Sequence, residues 1–254
     1  MPSPTANPPG QTTPPRRGSP PAPRPPPGPQ TTLASANLVT KVHKSSALRA
    51  DADLAARIST FVNIGYRDRE VYLLSQWVEL TDRFETREAI FDAVGSEGMF
   101  AVVWNMPSRG EGKEEEQEKE GKAEAVACAC ISPWTGDLGP ERAGAEDGGW
   151  EIKTVTTKEG WKKMGLAGLC VQALIDEVIE IERRNVRERG EEVEGTRVKL
   201  WVHAVEEVNG EYWRRRGWRF VRAYERPAGE WASRFGFVLG VFGKEVDLGT
   251  GEVA

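Results

Sequence analysis

The chain has few of the residues that build metal sites or disulfide frameworks. Only three cysteines and two histidines occur in 254 residues, and His43 and His203 lie too far apart for a zinc-ligand spacing. Cys128 and Cys130 alternate along a predicted strand, so both face one side, and Cys170 falls in a predicted helix. We therefore expect a reducing compartment, three small core thiols and no bound metal.

Long hydrophobic runs are also missing. No segment approaches the roughly 18 apolar residues of a membrane-spanning helix, and the N-terminus lacks the apolar core of a secretory signal. We expect no membrane association and a cytoplasmic location, with the nucleus or an organelle as alternatives because the N-terminal segment is basic. The net charge of −5 argues against broad nucleic-acid binding, since that binding depends on neutralising phosphates.

Proline is scarce beyond residue 32. Residues 1–32 contain 13 of the 17 prolines, no acidic residue and almost no large apolar side chain. Such a segment cannot bury enough apolar surface to offset the entropy lost on ordering. We expect a disordered proline-rich tail over 1–32 that acts as a spacer or binds an SH3-like or WW-like partner through 20–27. One domain follows over 33–254.

Hydrophobic periodicity divides this domain into strands and helices. The predicted strands are 38–46, 99–104, 123–134, 150–157, 197–205, 218–224 and 235–246. The predicted helices are 51–66, 81–94 with Thr81 as its cap, 164–189 ending at Gly190, and 209–216 with Asn209 as N-cap and Gly217 as stop. This order predicts a mixed α/β fold with a mostly antiparallel central sheet flanked by helices.

The longest predicted helix and the segment 108–122 each have a distinctive composition. The long helix is expected to bury a broad face: a stripe of Leu166, Leu169, Ala173, Leu174, Val178 and Ile181, widened by Val171, Ile175 and Ile179. Residues 108–122 contain six glutamates among lysines and glycines. This composition predicts a flexible, solvated loop that joins two hairpin strands.

The segment 157–167, with the sequence TKEGWKKMGLA, carries the clearest chemical signal. A strand ends, a tight turn with lysines and glycines follows, and an apolar helix begins at once. Unpaired N–H groups and the macrodipole at a helix N-terminus suit an anion, and Gly165 lets a ligand approach the backbone closely. By spacing alone, the same pattern is equally typical of a turn without a ligand.

Within this segment, KKMGLA at 162–167 resembles the Q/R-x-x-G-x-G/A loop of the GNAT superfamily of acyl-CoA-dependent N-acyltransferases. Trp161 stands where that family often has an aromatic residue, and Lys162 replaces the usual Gln or Arg. In the family, this loop holds the pyrophosphate of coenzyme A. The order of elements over residues 36–246 is similar as well.

A second block, residues 201–218, resembles the strand and short helix of the same family, which end in Tyr-x-x-x-Gly-Phe. Trp218 replaces the Phe, Trp213 stands at the usual tyrosine position, and Tyr212 lies one place earlier. Asn209 is nearer the glycine than the family's asparagine, so the helix is shorter or its register differs.

The resemblance implies an N-acetyltransferase that moves an acetyl group from acetyl-CoA to a primary amine by direct attack in a ternary complex. It implies Glu151 as the general base and Tyr212 as the acid for the leaving thiolate. Glu151 is expected on one strand face with Lys153, Val155 and Thr157, and an ion pair with Lys153 is its alternative role. The implied cofactor contacts are Val155, Thr157, Lys162, Lys163, Met164, Gly165, Leu166, Ala167, Asn209 and Trp213.

The displaced tyrosine leaves a second hypothesis open, a catalytically silent GNAT-fold module that binds acyl-CoA or a protein. A third, another α/β nucleotide binder, has no second glycine-rich signature and no Walker pattern to support it. The acceptor amine is a small molecule or a peptide, and the acidic body suits a cationic one such as a polyamine, lysine or an aminoglycoside-like amine. Segments 65–77 and 226–234 are expected to border its site.

Overall fold

The computed structural model describes residues 37–67, 82–107, 123–137 and 144–249. The expected tail, the charged segment 108–122 and Thr81 lie outside these residues. The strands are β1 (Asn37–Lys44), β2 (Met99–Met106), β3 (Glu124–Pro133), β4 (Trp150–Thr157), β5 (Arg197–Val205), β6 (Arg219–Arg226) and β7 (Phe237–Asp247). The α-helices are α1 (Ser45–Ala50), α2 (Ala52–Arg67), α3 (Arg87–Val94), α4 (Leu166–Glu188) and α5 (Glu211–Arg214).

All seven strands form one sheet in the order β1-β2-β3-β4-β5-β7-β6. Every neighbouring pair is antiparallel except β4 and β5, which are parallel. A parallel pair needs a crossover connection, and α4 supplies it. The predicted mixed α/β class with a mostly antiparallel sheet is confirmed.

Helices cover both faces of the sheet, because the strands on both sides are apolar. The long helix α4 packs on one face with Ala127, Ala129 and Ile131 of β3. The other face carries Cys128 and Cys130, which pack with residues of α1, α2 and α3. All three cysteines are buried and free, which confirms the prediction that they are core residues.

The predicted buried face of helix α4 is confirmed except at Leu169, and Ala173 and Ile181 pack against the core while partly buried. Its buried residues are Leu166, Cys170, Val171, Leu174, Ile175, Val178, Ile179 and Val186. Leu169 is wrong as a core residue: it is 52% exposed, because at 3.6 residues per turn it lies on the side opposite the centre of this face. The predicted stop is confirmed, since Gly190 has a φ of 73° and its N–H bonds to Arg187 O just after the helix ends.

Two helix starts also differ from the prediction. Helix α3 begins at Arg87 with Thr86 as its cap, and the Thr86 side chain accepts a hydrogen bond from Ala89 N. Asn209 is wrong as an N-cap, because it lies inside a π-helical segment, Glu206–Gly210, that runs into α5. None of the helices in the described residues is long and apolar enough to cross a membrane.

A β-bulge in β4 changes which side chains share a face. Thr154 has a φ of 56°, and the register against β3 shifts at this point. Lys153 is opposite Cys130, on the side of α2, whereas Thr157 is opposite Ala127, on the side of α4. The expectation that Glu151, Lys153, Val155 and Thr157 share one face is therefore wrong, because the extra residue turns the last two over.

Strands β4 and β5 pair over only three residues each and then separate. The pairs are Trp150 with Leu200, Glu151 with Trp201 and Ile152 with Val202. Beyond them β4 runs on through residues 153–157 and β5 through 203–205. We call this opening the fork. It leaves one backbone edge of β4 available along five residues.

Candidate active site

A buried carboxylate lies at the apex of the fork. Glu151, one residue before the last strand pair, is 7% exposed. Its Oε1 lies 2.8 Å from His203 Nδ1, and its Oε2 lies 3.6 Å from Lys153 Nζ. Burial acts to raise the pKa of Glu151, but the hydrogen bond from His203 and the charge of Lys153 outweigh it, and the pKa falls below its ordinary value.

His203, the first residue of β5 beyond the pairing, joins Glu151 to a second carboxylate. Its Nε2 lies 3.6 Å from Asp137 Oδ1, and its side chain is 4% exposed. Trp134 stacks on the imidazole, with centroids 5.3 Å apart and planes 18° apart. The other neighbour of Trp134 is Trp201, at 5.0 Å between ring centroids.

Asp137 is held from strand β6. Arg222 donates to both of its oxygens, with Nη2 3.0 Å from Oδ1, and the Tyr224 hydroxyl donates to Oδ2. Arg222 also pairs with Asp147 at 3.4 Å. Burial acts to raise the pKa of Asp137, but these donors hold it below its ordinary value. Asp137 is therefore an anion held in place by two donors, and its Oδ1 also faces the His203 imidazole.

The other end of the fork is the turn that leads into α4. No side chain of the described residues caps this helix, and the residue that precedes it, Gly165, has a φ of 80°. Lys163 is also in the left-handed region, with a φ of 66°. A Cβ built on Gly165 would have no atom within 4 Å. Free N–H groups, the positive end of a 23-residue helix and open space beside them fit a phosphate group.

Arg216 reinforces this positive end. A Cβ on Gly168, in the first turn of α4, would lie 3.5 Å from Arg216 Nη2. The guanidinium also lies over the Tyr212 ring, 3.9 Å from its centroid. Within the part of the chain that the structure describes, no carboxylate pairs with Arg216. A cation at the positive end of a helix is unfavourable by itself, so the arrangement favours an anion that both can contact.

The two lysines of the turn differ in their surroundings. Lys162 pairs with Glu159 at 2.6 Å, which lowers the pKa of that carboxyl below its ordinary value. Lys163 supplies positive charge on the same turn. Met164 and Trp161 both pack against the core on the α4 side, so their side chains support the turn, and the expected cofactor contact of Met164 remains a prediction.

Tyr212 and Trp213 occupy different environments on α5. Trp213 is buried in the core, with Tyr212 and Trp218 against it at 5.1 and 5.2 Å between ring centroids. The Tyr212 hydroxyl is buried, has no hydrogen-bond partner within the described ranges, and burial raises the pKa of this phenol. Thr154, at the bulge, likewise has a buried hydroxyl without a partner among the described residues.

The structure brings part of the predicted site together. Glu151 lies at the fork apex, Val155 and Thr157 lie along its edge, and the turn with Gly165 closes it. Asn209 is exposed and Trp213 is in the core, so their expected cofactor contacts remain predictions. Asp137, His203 and Arg222 were not predicted, because each acts through contacts between positions distant in sequence.

Other features do not contribute to this site. Among the residues that the structure describes, no group of three or more His, Cys, Asp or Glu side chains is placed to hold a metal ion. A cavity of about 240 Å³ lies instead between the end of α4 and the start of β5. Its arginines, Arg189 and Arg197, each pair with a glutamate, at 2.8 and 3.3 Å, so they are not free to bind a ligand.

No protein-family model and no curated protein sequence matches this chain. Among solved structures, it is similar to an acetyltransferase of the GNAT family from Streptococcus pneumoniae, with 13% identity, 83% of this chain and 100% of that chain covered, and a TM-score of 0.46. The first sequence block resembles the same family.

Two further structures with a similar fold contain acetyl-CoA. One is Arabidopsis thaliana NAA60, with 13% identity, coverage of 81% and 97%, and a TM-score of 0.45. The other is yncA of Salmonella typhimurium, with 15% identity, coverage of 84% and 95%, and a TM-score of 0.45. At these values the likeness concerns the outline of the fold, and the function is inferred from the geometry of the site itself.

Proposed function

We propose that this chain is an acetyl-CoA-dependent N-acetyltransferase that acts on a primary amine. The observation that carries the proposal is the fork, whose free β4 edge runs from an anion-binding turn at α4 to a buried carboxylate at its apex. The five-residue edge is about 16 Å long at a rise of about 3.3 Å per residue. An extended ligand with an anionic end and a reactive end fits this arrangement.

The residues divide into binding and chemical groups. The amides at the start of α4, including those of Leu166 and Ala167, hold the phosphates together with Lys163 and Arg216. The main chain of Val155 and Thr157 holds the pantetheine arm as an added strand would be held. This leaves the thioester end of the ligand towards the bulge at Thr154 and the fork apex.

Acetyl-CoA supplies an activated acetyl group as a thioester. Glu151 accepts a proton of the substrate ammonium: an N–H bond breaks, an O–H bond to the carboxylate forms, and the nitrogen lone pair attacks the thioester carbonyl. As the C–N bond forms, the C–S bond breaks, Tyr212 gives its phenolic proton to the leaving thiolate, and the second proton of the nitrogen restores the phenol. Burial raises the pKa of Tyr212, so the phenol keeps its proton until the thiolate forms. Its buried hydroxyl without a partner in the described residues supports this role.

The acceptor reaches Glu151 from the face of the sheet opposite α4. We expect the connection between β6 and β7 to border it; Trp231 in this connection is 48% exposed and has a φ of 50°. The carboxylates at the apex favour a cationic amine over a neutral one. We infer a small-molecule or peptide amine as the acceptor.

Calorimetric titration of the full chain with acetyl-CoA tests the binding half of this proposal. We expect micromolar affinity for the wild type. In Gly165→Glu the affinity should fall more than about tenfold, because the carboxylate enters the phosphate position. A tenfold loss corresponds to about 1.4 kcal/mol of binding free energy. Desulfo- or longer acyl-CoAs serve as further probes of the same site.

Two control variants separate charge from backbone strain. Gly165→Ala has the same unfavourable φ without the anion, and we expect it to bind nearly as well as the wild type. Gly190→Glu places the same side chain at a glycine of similar φ beyond the other end of α4, and its binding should be unchanged. A folded wild type that binds no acyl-CoA would refute the proposal.

A further inference from the structure

We propose that His203, supported by Asp137, is a positioning residue that orients Glu151 and keeps it ionised for proton transfer. This inference rests on the acyl transfer proposed above. The residues concerned come from three separate parts of the chain: β4, β5 and the segment after β3. They form a line, Glu151–His203–Asp137, with one imidazole between two carboxylates.

The direction of the hydrogen bond follows from the chemistry of the groups. An ionised carboxylate only accepts hydrogen bonds, and Glu151 Oε1 lies 2.8 Å from His203 Nδ1. A distance this short requires a proton between the atoms. Nδ1 therefore carries the proton and donates it to Glu151, which fixes one oxygen of the carboxylate and favours its charged form.

The imidazole has little freedom to turn. Trp134 stacks on one face of it, and its side chain is almost completely buried. Asp137 lies on its Nε2 side, where Arg222 and the Tyr224 hydroxyl hold that carboxylate in place. A histidine that only filled space would not require a carboxylate beside its Nε2, and Asp137 is held there by two hydrogen-bond donors.

This orientation leaves the other oxygen of Glu151, Oε2, to accept the proton of the substrate. Oε2 lies 3.6 Å from Lys153 Nζ, and Lys153 is the more exposed of the two side chains, at 26%. The substrate ammonium approaches from this side and meets a carboxylate whose orientation is already set. The titratable and charged groups facing the pair are Lys153, Cys130, Asp137, Asp147, Arg222 and Tyr224.

Two substitutions test the role through the pH dependence of kcat/KM. His203→Phe keeps a ring against Trp134 but removes the donor, so the pKa of Glu151 should rise and the acidic limb should move up by about one pH unit. His203→Asn keeps an N–H in the position of Nδ1 and should restore the wild-type limb. The assay is release of coenzyme A from acetyl-CoA, with the best acceptor among spermidine, L-lysine and kanamycin.

The binding of acetyl-CoA serves as the control for folding, and we expect both variants to keep the wild-type affinity. Asp137→Asn should lower kcat about tenfold through a less ordered ring. A limb that does not move in a folded His203→Phe variant overturns the inference, because a structural role predicts lower activity at every pH without a shift.

A second measurement does not depend on turnover or on the folding of the variants at His203 and Asp137. The chain has only two histidines, so ¹H–¹⁵N spectra of the ring nitrogens can be assigned with one variant, His43→Gln. We expect Nδ1 of His203 to be protonated in the wild-type protein. An unprotonated Nδ1 would overturn the inference, whereas failure of all amines as acceptors with Nδ1 protonated would count against the proposed function alone.

Discussion

At the scale of single residues, the site depends on contacts that span long stretches of sequence. Glu151 was selected from the sequence because it lies on the strand before the glycine-lysine turn, where the resemblance implies a catalytic glutamate. Its partner His203 is 52 positions away, and Asp137 and Arg222 are 85 positions apart. No local pattern in the sequence indicates such pairs. Arg216 was visible only as one of three adjacent arginines, and the packing against Gly168 distinguishes it.

Glu151→Gln separates an enzyme from a silent acyl-CoA-binding module. If Glu151 is the proton acceptor, we expect kcat to fall by about 10² or more, since this is the usual contribution of a general base. Acetyl-CoA affinity should be unchanged, because Glu151 lies at the apex rather than at the phosphate turn. Coenzyme A release and calorimetry measure the two quantities. A wild type that binds acetyl-CoA but acetylates no amine would support the silent module instead.

At the scale of elements, periodicity predicted every strand, and β4 and β5 to the residue. It could not predict the bulge in β4 or the π-helical segment Glu206–Gly210, because both depend on tertiary packing rather than on composition. The bulge matters most, since it sends Val155 and Thr157 to the face opposite Glu151. A β-branched residue with positive φ is costly, so Thr154 is held in place by its surroundings.

Replacing threonine by glycine at two positions of β4 tests this strain. Thr154→Gly relieves a left-handed conformation worth about 1–2 kcal/mol, which should offset the lost packing and leave the free energy of unfolding nearly unchanged. Thr156→Gly, two residues on, relieves nothing and removes contacts with Gly65 on α2. It should cost about 2 kcal/mol. Urea denaturation measures both, and equal losses would contradict the strained bulge.

At the scale of the whole molecule, the sheet and its two apolar faces were predictable, because strand alternation and helix stripes indicate them. The charge network was not, since its cations and anions come from β4, β5, β6 and the segment after β3. Asp137 and Glu151 both have pKa values below their ordinary ones. Stability that they provide is present above the ordinary carboxyl pKa and is lost as the pH falls through the lowered values.

We therefore expect the melting temperature to fall as the pH is lowered from about 5 to about 3. The fall should be steeper than protonation of the exposed carboxylates alone would cause. The double variant Asp137→Asn with Glu151→Gln should be less stable than the wild type at neutral pH and lose less on acidification. Glu180→Gln, at an exposed side chain, is the matched control and should keep the wild-type slope. Thermal denaturation at several pH values measures these slopes, and equal slopes in all three proteins would contradict a role for the network.

The fork also divides the chain in sequence order. Residues 37–157 supply β1 to β4, and residues 197–247 supply β5 to β7, so each side of the fork is a contiguous, internally hydrogen-bonded sheet. Among the described residues, three pairs of residues on β4 and β5 join the two sides directly. Insertions and substitutions on one side therefore remove no strand pair within the other side. In evolutionary terms, the half with β1 to β4 can be inherited unchanged while the half that carries His203, Arg222 and the exposed Trp231 diverges.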